Sequence, residues 1–265
     1  MSINNNFLLS QSTRKVFNYL LYLIFIIYMI YSIFIEQQTS VRLLYAAILV
    51  LALSVVALAE VLAFWSSKAL RALTQDCDPQ AGLAYLDKIL KFDLFKGYRN
   101  FSLSFRALAL QDLGQPQALL DWLDKVGEKT FSTSLDLRLV YLHSRFRANL
   151  LLNDKEKTRD YFQATMNLKD KKVLNKKISP LYSWDQIVAE YQYFSGSTRE
   201  ARKSLTKVDT SKLNPREKAY YLLLDGKICL KDQATTTARE RLTAVVADAG
   251  KTAMAAEARS LLKEI

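Results

Sequence analysis

The side chains able to do chemistry are few and dispersed. His143 is the single histidine among 265 residues. With no second imidazole or cysteine beside it, its place inside an apolar-periodic helix points to packing and not to metal ligation or acid–base catalysis. Cys77 and Cys229 stand far apart, neither in a CxxC pair, so two reduced, partly buried thiols are expected in place of a disulfide framework or zinc site. The chain holds no GxxxxGK(S/T) loop, GxGxxG turn, GxSxG elbow or HExxH helix, the patterns that cradle phosphate, present a nucleophile or bind zinc. Acidic residues are scattered along helix surfaces, where solvated faces and i to i+4 pairs account for them. No nucleophile and base occur together, so the expectation is a non-enzymatic protein with no catalytic residue, metal site or cofactor.

Two groups remain that could bind. Lys169, Lys171, Lys172, Lys176 and Lys177 crowd the stretch KDKKVLNKK. This reads as a solvated loop between helices, or as a patch for anionic lipid headgroups or an acidic partner whose affinity falls with salt. It lacks the arginines and aromatics of a nucleic-acid surface, and no nucleic acid is expected. Glu60 interrupts an otherwise uncharged apolar run, and an ionisable group at membrane depth is a functional candidate. In an antiparallel return with Ile35 and Leu43 at equal depth, the position level with Glu60 is Asn18. The two form a candidate intramembrane polar pair, read as an interfacial carboxylate reaching water or Asn18, with a proton-relay or partner-helix role as the sharper alternative.

The elements around these residues begin with two apolar stretches. Val16 to Ile35 runs without a charge, and Leu43 to Trp65 is broken only by Glu60; each has about the length an α-helix needs to cross the hydrocarbon core. Small residues for signal cleavage do not follow the first, so it is read as retained. The short connection makes the pair a tight antiparallel hairpin. Arg14, Lys15, Lys68 and Arg71 flank the outer ends against Arg42 alone in the connection, which puts both termini in the cytoplasm. The expected division is a cytoplasmic tail over 1–15, spans over 16–35 and 43–65, an extracytoplasmic loop over 36–42, and a cytoplasmic domain over 66–265. The plain two-span anchor points to a bacterial plasma membrane. Aromatics recur every third residue in the first span, and small residues fill the second, textures that can pack together. The net charge is +11, of which Arg14, Lys15 and Arg42 against Glu36 and Glu60 leave only +1 before residue 66. The basic excess therefore belongs to the domain, where it favours anionic lipid or acidic partners.

That domain repeats. Gly82 with Leu86, Ala118 with Trp122, Thr158 with Phe162, Ala201 with Leu205 and Ala238 with Leu242 each place a short side chain four residues before a bulky one, inside a helix that opens after a turn. Helical periodicity also fills the segments between them, through Phe101, Phe105, Leu108 and Asp112, then Leu135, Leu139, Leu142 and Phe146, then Trp184, Ile187 and Tyr191, then Tyr220, Leu224 and Ile228. Seven glycines and four prolines are few, and the abundant alanine, leucine and lysine favour helix over sheet.

The pattern resembles the tetratricopeptide repeat, most closely in LALQDLGQPQALLDWLDKV and WDQIVAEYQYFSGSTREARKSL. With the transmembrane hairpin read from the apolar stretches, the resemblance completes an all-α fold: the hairpin followed by an α-solenoid whose first repeat borrows the end of the second span, Trp65 to about Gln75, as its leading helix. Stacked hairpins of this kind complete one another's core and form a concave face. The resemblance further implies protein binding on that face, with Trp122, Trp184, Tyr191 and Tyr220 as the candidate partner-binding or structural repeat positions. The expected function is a membrane-anchored scaffold or adaptor. The alternative is a non-catalytic subunit or regulator of a transport or envelope-synthesis complex that it contacts through its transmembrane helices.

Overall fold

The computed structural model describes residues 5–169, 171–173, 176–177 and 182–265, with side chains for 20–169, 171 and 182–265. Among these the chain is all-α, with thirteen α-helices. The one departure is a two-residue antiparallel pairing of Lys172–Val173 with Lys176–Lys177 inside the lysine run. The chain divides into two compact units between Ala63 and Phe64.

The first unit contains α1 (Asn5–Ile35) and most of α2 (Thr39–Thr74). Helix α2 is long and apolar enough to cross a membrane, and most of its surface is exposed; the apolar part of α1, Leu20–Ile35, is shorter. The turn between them is tighter than the expected 36–42 loop, because α2 already begins at Thr39. Glu36 organises it: its carboxylate accepts from the Gln38 backbone at 3.0 Å, and its carbonyl accepts from the Arg42 guanidinium at 2.7 Å. Arg42 thus belongs to the first turn of α2 and not to a loop. The anticipated packing of aromatics on small residues is incomplete: Tyr22, Phe25 and Ile26 face Ile48, Ala52 and Val56 across an apolar cleft of about 520 Å³.

The second unit begins within α2, whose last turns contribute the buried Ala69 and Leu73. It continues through α3 (Pro79–Phe92), α4 (Arg99–Asp112), α5 (Pro116–Val126), α6 (Glu128–Phe131), α7 (Leu135–Leu151), α8 (Lys155–Met166), α9 (Trp184–Phe194), α10 (Thr198–Leu205), α11 (Pro215–Lys231), α12 (Thr235–Asp248) and α13 (Ala253–Lys263). Side-chain caps set several starts. Asp78, Ser134, Asp154 and Ser183 each accept from the backbone three residues on, and Asn214 with Glu217 forms a capping box. Such caps are each worth about 1 kcal/mol.

The helix ends carry a repeat that the sequence pattern only hinted at. Helices α4, α7, α9 and α11 all close with the same left-handed residue two positions past the end: Gly114, Asn153, Gly196 and Gln233. In each, the next backbone N–H reaches back to the carbonyl five residues earlier: Gln115 to Leu110, Asp154 to Asn149, Ser197 to Gln192 and Ala234 to Cys229, at 2.8–3.1 Å. This Schellman closure satisfies carbonyls that a helix end leaves open and turns the chain sharply into the next helix.

Sequential helices then pack as neighbours, and α4 also touches α7, α9 touches α11, and α11 touches α13. The short-plus-bulky pairs fill the crossings. Gly82, Leu86, Thr158, Ala201, Leu205, Ala238 and Leu242 are buried, and a Cβ on Gly82 would meet the Phe105 ring at 2.8 Å. The second repeat departs from expectation. Ala118 is exposed and Trp122 only half-buried, while Leu119 and Leu123 are fully buried. A register shift of one residue turns an α-helix by about 100°, so α5 presents a leucine pair instead of the small residue and tryptophan.

The row of helices returns to its own start. The turn between α12 and α13 lies on the turn between α2 and α3: Lys251 N–H donates to the Cys77 carbonyl at 3.0 Å, and its ammonium pairs with Asp78 at 2.6 Å. A Cβ on Gly250 would lie 2.8 Å from the carbonyl oxygens of Asp76 and Cys77, and one on Gly114 would lie 2.6 Å from Ala253 Cβ. Glycine permits both approaches, and at each the backbone also adopts a positive φ that favours it.

Candidate functional site

The expected site residues fall in several places. Trp122 packs edge-on to Phe131, Tyr191 stacks on Phe162 with centroids 3.9 Å apart, and Trp184, at the start of α9, packs against the core. These three sit at structural contacts. Tyr220 is buried and lines a cleft. Glu60 is exposed on α2, whereas the side chain of its expected partner Asn18 lies outside the described residues. Lys169 and Lys171 are exposed; the side chains of Lys172, Lys176 and Lys177 also lie outside the described residues.

The most unusual chemistry is a row of charges inside the second unit that sequence reasoning missed. Asp112, on the last turn of α4, receives a two-pronged bond from Arg216, on the first turn of α11, at 2.5 and 2.8 Å, with both side chains buried. An acid at a helix C-terminus and a base at an N-terminus each oppose their own helix dipole. Each here supplies the charge that its partner's surroundings lack. Burial alone would lower Arg216, but Asp112 holds it above its ordinary pKa. Arg147 of α7 and Glu190 of α9 form a second buried pair at 3.1 Å. Burial again opposes the charge on Arg147, and Glu190 reverses the balance. Burial also pushes Glu190 up, only partly offset by Arg147, in keeping with a contact through a single oxygen.

Aromatic rings join the pairs. The Arg147 guanidinium lies 4.0 Å from the centre of the Tyr220 ring and 5.5 Å from that of Tyr182; Arg216 lies 5.1 Å from Tyr182. Each such contact is worth about 2 kcal/mol when desolvated. His143 lies beside this row, its ring 5.4 Å from Tyr182. Burial first, then Arg147 and Arg216, lowers its pKa to about 3, which leaves a neutral packing residue. Cys77 and Cys229 are free and buried, and burial first, then Asp112, pushes the Cys77 thiol up to about 11. It stays protonated near neutrality and is a poor nucleophile.

One end of the row, Arg147, Glu190 and Tyr220, lines a cleft of about 370 Å³, a size suited to a small ligand or a short segment of chain. Its lining comes from α4, α7, α9, α11 and α13 and the turns after α4 and α7. Gln111, Arg147, Glu190 and Tyr220 contribute polar groups, Lys227 and Glu257 pair at 2.7 Å, and Leu150, Leu223 and Met254 supply apolar surface. Among the described residues, Gln111 Oε1 and Arg147 Nη1 are buried without a hydrogen-bond partner, while the Tyr220 hydroxyl and the Glu190 carboxylate are placed to bond each other. Two unmet groups at one wall cost about 1–3 kcal/mol each, and natural structures retain such groups where something else satisfies them.

A signal for these residues exists in the sequence. Asp112 occupies a core position in the periodicity of α4, four residues after Leu108, and Arg216 stands four before Tyr220 in α11; a charge on an apolar stripe marks a buried pair. Among the described residues, no group of three or more histidine, cysteine or acidic side chains converges on a point that could hold a metal ion. The arrangement offers hydrogen bonds, charge and apolar contact, the elements of binding. No family model matches the chain, and no curated protein or solved structure is found to be similar to it.

Proposed function

We propose that the protein is a membrane-anchored scaffold or adaptor, held in a bacterial plasma membrane by a two-span hairpin, whose tetratricopeptide-like array binds a short segment of a partner protein on its cytoplasmic face. One observation carries this reading. Five helices, α4, α7, α9, α11 and α13, turn residues toward a single cleft, as the concave face of stacked helical hairpins does, and unmet polar atoms stand in its wall. The identical closures of α4, α7, α9 and α11 support the repeat itself. Helix α2 supports the anchor by its length and apolar surface, and the flanking basic residues support the orientation.

The test is photo-crosslinking from the cleft in the full-length protein purified in mild detergent. A crosslinker at half-buried Tyr193, which lines the cleft, is expected to capture a discrete partner that one at exposed Lys231 does not. Recovery of the protein without a partner from both positions sinks the reading. Labelling of the repeat unit from outside an intact cell reverses the orientation.

The alternative, a subunit or regulator of a transport or envelope-synthesis complex, is favoured by the open apolar cleft between α1 and α2. Replacing residues 16–65 with an unrelated hairpin abolishes function in that case and preserves it in the first.

A further inference from the structure

Away from the binding cleft, the exposed large apolar side chains of the second unit gather in one stretch. Among its described residues, Phe64, Leu70, Leu90, Phe92, Leu94 and Phe95 are exposed, the last two by 74% and 75%, and only Leu151 and Leu152 join them elsewhere. A specific turn presents them. The Asp93 carboxylate accepts from the backbone of Gly97 at 2.9 Å and Tyr98 at 2.8 Å, and Lys96 N–H closes on the Asp93 carbonyl at 3.2 Å. These bonds order residues 93–98 while Leu94 and Phe95 stay outside the core.

Cations interleave with the rings. Lys68 lies over Phe64 at 5.5 Å, Lys88 over Tyr85 at 5.2 Å and Lys91 over Phe92 at 5.6 Å, and Lys96 and Arg99 follow, both exposed. Between residues 88 and 99 the single acid is Asp93, whose carboxylate is already engaged by backbone amides. Phe92 packs on Trp65, centroids 5.5 Å apart. Trp65 closes the apolar run of α2, the position at which aromatic side chains mark a membrane boundary.

We propose that this face is a membrane-docking surface. Leu94 and Phe95 insert at the headgroup boundary of the bilayer that α2 crosses, with Phe92 and Trp65 behind them, and Lys88, Lys91, Lys96 and Arg99 engage anionic lipid headgroups. The composition favours lipid over protein, since the cores of protein interfaces are depleted in lysine. Lysines interleaved with aromatics suit an interface where stems lie in apolar surroundings and ammonium groups reach phosphate. The proposal rests on reading α2 as a span.

The experiment uses the full-length protein in nanodiscs of phosphatidylcholine with phosphatidylglycerol, spin-labelled singly at Phe95→Cys, Leu51→Cys or Arg199→Cys. The native thiols are buried and leave the introduced cysteine as the reactive one. At residues 95 and 51 the label is expected to relax more with oxygen than with a nickel chelate, and at residue 199 the reverse. Omitting phosphatidylglycerol is expected to weaken the oxygen preference at residue 95, and no change refutes the lysine contribution. A water-like signal at residue 95 beside a lipid-like one at residue 51 overturns the docking surface while leaving the span intact. A water-like signal at residue 51 overturns the span and the proposal together. Shielding of residue 95 from both reagents means that protein covers the patch, and it too overturns the proposal.

Discussion

The two units distribute polarity in opposite ways. In the first, Leu43, Val50 and Leu51 of α2 and Tyr28, Tyr31 and Phe34 of α1 face outward, and the buried apolar residues among those described are Met29 and Leu62. In the second, leucines and alanines fill the helix crossings while two arginines, an aspartate and a glutamate are shut inside with them. An apolar exterior is stable where the solvent is hydrocarbon, and a charged interior is stable only where every charge finds a partner. The difference locates specificity: the outward apolar residues of α2 make few contacts within the protein, whereas the buried charges of the second unit each need a particular partner.

The largest expected effect strikes that interior. Arg216→Met leaves Asp112 buried without its cation and is expected to destabilise the second unit by about 3–5 kcal/mol, read by chemical denaturation of the full chain in detergent. Pairing it with Asp112→Leu is expected to restore most of the loss; no recovery means that the pair is not what the unit depends on. Gly250→Ala comes next. Its Cβ would press on the Asp76 and Cys77 carbonyls at a positive φ, and about 1–3 kcal/mol is expected, with faster proteolysis of the turns after α2 and α12. A loss below experimental error would show that the returning end of the array carries no stability.

The pH response sharpens the same contrast. His143 is held near a pKa of about 3 in the folded state against 6.5 unfolded. Below 6.5 the unfolded chain takes up a proton that the folded chain refuses, so this contribution is intact above that pH and is lost progressively down to about 3. The expected slope is up to about 1.4 kcal/mol per pH unit. His143→Phe is expected to lack that slope, and parallel profiles for the two proteins would place the imidazole in contact with solvent. The smallest effect belongs to the first unit. Val50→Ala, at an exposed position of α2, is expected to change stability by less than about 0.5 kcal/mol, and a larger loss would mean that protein covers that side of the helix.

The cleft and the docking face differ in how far the sequence announced them. Tyr220 lies on the stripe of α11 that periodicity draws through Leu224 and Ile228, and all three are buried. In α5 a small-plus-bulky pair fits two registers one residue apart, and only packing shows that Leu119 and Leu123 hold the inner one. Arg147 and Glu190 looked like ordinary helix charges. Their pairing depends on two helices whose separation in sequence carries no information about contact. Leu94 and Phe95 sit in a run where apolar residues read equally well as core, and the capped turn at Asp93 decides that they stay outside.

What the amino-acid sequence determines by itself is local: helices over nearly the whole chain, an apolar α2, capped starts, and turns at Gly114 and Gly196. Local backbone chemistry sets these, through periodicity, hydrogen bonds within a few residues and the steric freedom of glycine. What the tertiary structure alone decides is the return of the array onto its start, from Gly250 and Lys251 to Cys77 and Asp78, and the meeting of Asp112 with Arg216. Both join residues at least 104 positions apart, and hydrogen bonding within one helix pair does not specify such a contact.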